Sequence, residues 1–325
     1  MLYSMSFNRL GVIGDWAMDY RFAFLATLAT SLSAMAPTFG AERDAAVVLE
    51  PTSAWSINYA DDFCRLSRTF GSGEQQTALV FDRLSPGDSF RLMLIGNATN
   101  AARHGGEAKI RFGTGFAQQD LQFLSGTWND KFPTWIFNGS VRIRPRSEAE
   151  EALIAKEIGR AGMADISWIA PISEADEASV AEVQVGRPLR KPLVLRTGSM
   201  KSAFAALRTC TDELLTHWGI DVARHKMRSQ PARPVGSPGR WLNNNDYPSE
   251  MKERLQNGLV HFRLTVGEDG KPLGCHIQQS TNPEGFDNTV CRALMRRAEF
   301  EPARDKEGKP LVSYYINTVR FMIPE

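Results

Sequence analysis

Little in this sequence advertises chemistry. Its formal net charge is only +1 over 325 residues, which leaves no electrostatic ground for a nucleic-acid partner or an acidic substrate. It contains no H-E-x-x-H and no G-x-S-x-G, and its short glycine pairs "GTG" and "GSG" read as turns, not phosphate loops. "SEMK" at Ser249 to Lys252 matches S-x-x-K without the companion motifs of that chemistry, so Ser249 reads as a helix cap. The five histidines are scattered. His104, His217 and His225 stand apart, while His261 and His276 fall on the polar side of two strands, where a two-histidine metal site competes with a plain exposed face. Asp61 and Asp62 fit a solvated turn better than an acid/base couple, and Arg292, Arg296, Arg297, Arg304, Lys306 and Lys309 fit a solvated basic face. No catalytic set, metal or cofactor is expected from these residues.

Long apolar runs are also missing, except near the start. Residues 22–36 follow Arg21 as an almost uncharged apolar run and lead into small residues up to Gly40. Basic residue, apolar run and small residues, in that order, form the pattern of a secretory signal. The run of about 15 residues is short of the roughly 20 that a membrane-crossing helix needs. Residues 1–41 are therefore read as a signal, with Met18 as the initiator because residues 1–17 add nothing to the pattern. The chain is expected in the periplasm, and at the inner membrane only if the signal is retained.

What is present is an ordinary globular composition, 42% apolar and 23% charged, at a length that fits two domains. From residue 42 to about 145 the pattern is short strands and turns, with "ALVFDRL" and "FRLMLIG" flanking the turn signal "SPGDS". "SEAEEALIAKEIGRA" then changes to helical spacing, with Ser147 and Glu150 as a capping box and Leu153 and Ile154 on one face. A strand "AEVQV" and a helix over 199–218 ending at Gly219 complete a first domain, 42–224, that is mostly β or α+β. Residues 225–246, with three prolines and three arginines, read as a linker. Semi-extended, it would reach on the order of 60 Å. Residues 247–325 form a second unit of order α-β-β-α-β, with Asp269-Gly270 at a hairpin tip. The fold class is α+β, the second unit a three-stranded antiparallel sheet with two helices.

Cysteine is scarce, four residues, but the number is even. Cys275 lies on the apolar face of a strand and Cys291 on the core-facing flank of the next helix, so a helix packed on that sheet brings them together. In an oxidising compartment a disulfide is the expected outcome. A redox site would show C-x-x-C, and His276 cannot join its neighbour Cys275 on a metal because adjacent strand residues point to opposite faces. Four cysteines allow three connectivities. Position favours Cys64 with Cys210, the latter sharing a helical face with Leu207 and Leu214.

The second unit carries "YP" at Tyr247-Pro248, "GLVHFRLTV" from Gly258, "DGKP" from Asp269, "QST" and "GFD" around Ser280 and Asp287, "FEPA" from Phe300 and "GKP" from Gly308. In this order the motifs resemble the C-terminal domain of TonB-family energy transducers, over about 79 of the 325 residues. The resemblance implies a non-enzymatic module that takes an extended peptide of an outer-membrane or other envelope protein as an added strand, in support of transport. It assigns that contact to Val312, Tyr314, Ile316, Thr318 and Arg320 on the last strand, with Tyr247 and Pro248 nearby, and an open edge of this kind also allows homodimerisation. The family's transducers have an uncleaved anchor and a long proline-rich spacer, and this chain matches neither. The first domain resembles no family. An exported enzyme with its site in that domain, and a structural envelope protein with two docked domains, are the competing readings.

Overall fold

A computed structural model describes residues 45–102, 105–137, 141–161, 171–281 and 283–323. The signal-like segment 1–41 and His104 lie outside them. The first domain holds strands β1 Val47–Leu49, β2 Ser56–Tyr59, β3 Cys64–Phe70, β4 Thr77–Arg83, β5 Arg91–Gly96, β6 Gly106–Phe112, β7 Gln119–Trp128 and β8 Phe132–Phe137. Helices α1 Glu148–Ala161 and α2 Glu174–Ser179 follow, then β9 Val183–Val185, β10 Leu193–Leu195 and α3 Lys201–His217.

All ten strands share one sheet, in the order β1-β10-β9-β6-β7-β8-β5-β4-β3-β2. The "SPGDS" turn joins β4 to β5 as an antiparallel pair, as its turn residues predict. The sheet curls until its ends meet: Pro51 bridges Phe70, and the Gly71 amide donates to the Glu50 carbonyl at 2.9 Å. Curling closes strand edges that would otherwise be open. One face of the sheet and helix α3 enclose the core, where Phe81 meets Phe90 and Phe204 edge-on at centroid distances of 4.9 and 5.6 Å. Cys64 on β3 is disulfide-bonded to Cys210 on α3. The capping box forms, with the Ser147 amide donating to Glu150 Oε2 at 2.7 Å and the Glu150 amide to Ser147 Oγ at 3.2 Å. Of the predicted apolar face of α1, Ile154 is buried and Leu153 is exposed.

Residues 225–246 do not hang free. Helix α4, Val222–Lys226, leads into β11 Arg228–Gln230 and β12 Arg233–Pro234. These short strands pair with β16 Ala303–Asp305 and β15 Phe300–Glu301 of the second unit. Trp241 lies against Phe300 and Tyr315 at 5.2 and 5.6 Å, and Arg297 holds Asp246 in an ion pair of 2.5 Å. A segment rich in proline and arginine can thus add edge strands too short to show any periodicity.

The second unit continues with α5 Ser249–Glu253, β13 Gly258–Val266, β14 Pro272–Ser280, α6 Pro283–Arg297, then β15, β16, β17 Pro310–Leu311 and β18 Ser313–Phe321. Its main sheet has the order β14-β13-β18, all antiparallel. Val260, Phe262, Leu264 and Val266 face α6 and meet Phe286, Val290 and Leu294 in one core. Cys275 on β14 is disulfide-bonded to Cys291 on α6, as their positions predict. The mixed α/β class with a large sheet and a small antiparallel module is the one read from the sequence.

Replacing Cys275 and Cys291 together by alanine opens a 16-residue separation and is expected to cost about 3 kcal/mol in the chain-entropy picture. Denaturant unfolding of the oxidised parent and the double variant measures it. Gly270 has φ +79°, and a Cβ there would meet the Phe300 carbonyl oxygen. Gly270→Ala is expected to cost about 2 kcal/mol or more by the same measurement.

Candidate functional site: an open strand edge and the face behind it

Strand alternation divides β18 cleanly. Ser313, Tyr315, Val319 and Phe321 are buried toward the core, while Tyr314, Ile316, Thr318 and Arg320 turn to the other side. The backbone divides the same way. The Leu259 amide donates to Thr281 Oγ1 and its carbonyl accepts from the Thr281 amide, both on the β14 side, so its opposite residue Arg320, and every second residue before it, points its amide and carbonyl away from β13. β18 pairs with β13 alone and ends the sheet. The outward amide of Thr318 is taken by the neighbouring Asn317 Oδ1 at 2.8 Å, and Asn317 Nδ2 donates to the Tyr315 hydroxyl at 2.6 Å. A side chain thus covers one donor of the edge, a common way to blunt an unpaired strand.

Tyr247 is placed inside the module. Its ring meets Phe286 and Phe321 edge-on at 5.8 and 5.3 Å, and its hydroxyl donates to the Gln256 carbonyl at 2.5 Å. Burial pushes its phenol pKa up. Pro248 opens α5 beside it. Tyr247 fixes the end of β18 through Phe321.

The face behind the strand is covered, although its polar residues predict exposure. Val312, Tyr314 and Ile316 pack against the core of the first domain. Tyr314 stacks on His225 at 5.4 Å and meets Trp218 edge-on at 5.5 Å. The Arg263 guanidinium lies 3.9 Å from the Trp218 ring centroid and 3.8 Å from Asp62 Oδ1. Burial pulls its pKa down to about 10, against the opposing pull of Asp62. His276 Nε2 reaches the same Asp62 oxygen at 2.6 Å. Gln278 Nε2 donates to the carbonyls of Asp62 and Leu84 at 3.2 and 3.3 Å, and Arg91 donates to Gln279 Oε1 at 2.9 Å. Asp62 is therefore a docking residue and not part of a solvated turn. His261 instead shares a hydrogen bond with Thr318 Oγ1 at 2.7 Å, so the two histidines have different partners.

Strand β18 is open only in part. Thr318 and Arg320 are exposed, while Tyr314 and Ile316 are half-buried under the first domain. Sequence reading missed Asp62, Trp218, Arg263 and Gln278 because alternation marks a face as polar without saying what covers it.

Two open clefts among the described residues of the first domain are large enough to consider. One, of about 420 Å³, is rimmed by Tyr59, Asp61, Glu213 and His217, whose side chains form no hydrogen bond with one another. The other, of about 740 Å³, has Leu49, Leu189 and Leu193 beside Asn97, Arg190 and Lys191. Among the described residues no group of three histidine, cysteine or acidic side chains is placed to hold a metal ion. None of their helices is long and apolar enough to cross a membrane.

A small α/β module whose main sheet ends in β14 on one side and β18 on the other is thus joined to a larger β-rich domain. Residues 243–323 match the family of the Gram-negative bacterial TonB protein C-terminal, and the rest of the chain matches no family. The comparison with curated proteins finds no match. A TonB C-terminal domain is not enzymatic and implies interaction with outer-membrane proteins, and with two disulfides it suggests an exported protein.

His225 is buried, and desolvation, aided by Arg228 and opposed by Asp212, lowers its pKa to about 4. The folded chain resists a proton that the unfolded chain accepts near 6.5. The stability is present above that pH and falls as pH drops toward 4, by about 2–3 kcal/mol. Thermal unfolding between pH 7 and 4 is expected to show this decline, and His225→Gln to flatten it.

Proposed function

We propose that this is an exported envelope protein whose C-terminal module binds an extended segment of an outer-membrane or other envelope partner by strand addition to β18, in support of transport. The observation that carries the reading is the edge itself: β18 bonds β13 on one side only, and its outward amides and carbonyls recur at every second residue. Strand addition draws affinity from such main-chain groups and specificity from alternate side chains. Ile316, Thr318 and Arg320 make the first contacts, and Val312 and Tyr314 extend the strand, while Tyr247 and Pro248 border the site. Residues 1–41 act as the export signal, and its removal leaves the chain in the periplasm. The same edge admits a second copy of the chain, giving a homodimer that a partner peptide displaces.

Thr318→Pro separates this reading from surface stickiness. The Thr318 amide lies outside the β13 ladder and is held by Asn317 Oδ1, so an edge proline is tolerated there, yet it removes a donor that an added strand would take over from that side chain. Titrating the mature chain with extended peptides of outer-membrane receptors should shift the amides of residues 316–320 in NMR spectra. The proline variant is expected to keep its fold and lose roughly tenfold or more in affinity, the worth of one main-chain hydrogen bond. Unmoved amides in the parent protein contradict the reading.

A further inference from the structure

We infer that the first domain is a reversible cover on the partner-binding strand, so that domain docking and partner binding compete. This inference rests on the strand-addition reading and names its regulation. Its first ground is how the cover lies. The first domain packs on Val312, Tyr314 and Ile316, and α4 lies beside Tyr314 through His225. The far end, Asn317, Thr318 and Arg320, is exposed. A partner strand aligned with the whole of β18 needs the covered half as well. In the docked state the side-chain face that an added strand would meet is free only along that short stretch.

The second ground is the chemistry of the contact. Beside its apolar and aromatic part it has a polar half: Asp62 serves His276, Arg263 and the Gln278 amide, and Arg224 reaches Glu268 at 2.9 Å. It is also incompletely satisfied. Arg263 Nε and Nη1 and Gln278 Oε1 are buried without hydrogen-bond partners, on the face of β13 and β14 that meets the first domain. Buried polar groups of a permanent interface are nearly always paired, and polar contacts between domains of one chain resemble transient interfaces. Undocking lets water reach these atoms.

The third ground is connectivity. The chain crosses from the first domain to the second unit once, between α4, whose Val222 packs on the first core and whose Lys226 pairs with Asp212, and β11. β11 and β12 pair with the second unit and travel with it. One short crossing beside α4 can therefore act as the hinge. When the cover opens, Tyr314 and Ile316 become free to meet the side chains of an added strand.

Asp62→Lys places a cation against Arg263 and His276 and is the test, made in the full mature chain. Small-angle X-ray scattering reports docking, and titration with a receptor-derived extended peptide reports binding. The inference expects the variant to scatter as a larger particle and to bind about tenfold tighter, because removing a closed state populated about ten to one restores that factor. Peptide should also enlarge the parent protein. An expanded variant that binds no better overturns the cover while leaving strand addition intact. An expanded variant and a parent that both fail to bind overturn the strand-addition reading itself. Unchanged scattering in both Asp62→Lys and Arg263→Glu shows that this polar cluster does not hold the domains, and overturns the inference. Intact near-ultraviolet circular dichroism and a cooperative melt confirm that the variants are folded.

Discussion

Everything proposed for this protein depends on the one-sided pairing of β18. Its nine residues are matched one for one with β13, which fixes every side chain to a face and every backbone group to an edge. A shift of one residue would turn Tyr315, Val319 and Phe321 out of the core and expose them. The core contacts therefore lock the register, with Phe321 held between Phe286 and Tyr247. A locked strand with an open edge is pre-organised for a guest, because the host loses little conformational freedom when a peptide is added.

The same alternation that fills the core also builds the face on which the first domain rests. The disulfides sit near this contact on both sides. Cys64 is two residues beyond Asp62, Cys210 lies on the helix that ends at Trp218, and Cys275 precedes His276. Each bond ties a docking residue to the body of its own domain. The two bodies stay firm while the polar contact between them is the weaker joint. On the strand-addition proposal, the folded neighbour and the partner meet adjoining surfaces of β18.

Much of the second unit was legible from sequence because its determinants are local. Asp269-Gly270 specifies the hairpin, Val260 to Val266 alternate without interruption, and each cysteine falls on a core-facing position. The open edge was legible only through family resemblance, since nothing in nine residues states which strand ends a sheet. The long-range closure of the first sheet, with Pro51 against Phe70 and β1 beside β10, was not legible. It joins segments far apart in the chain, and no local period records it. The docked face was misread as solvated because Arg263, His276 and Gln278 are polar whether water or Asp62 meets them. Residues 228–234 form strands of two and three residues, too brief for any pattern to stand out.

The central claim is that β18 carries free backbone groups along its outer side and gains partners there on binding. Hydrogen–deuterium exchange of the mature protein, resolved to single amides, measures this directly. The account predicts fast exchange at Ile316 and Arg320 beside slow exchange at Tyr315 and Val319 in the free protein, and protection of the fast amides when a receptor-derived extended peptide is bound. Uniformly slow exchange along β18 before any peptide is added, or fast amides left unprotected at saturation, would contradict it.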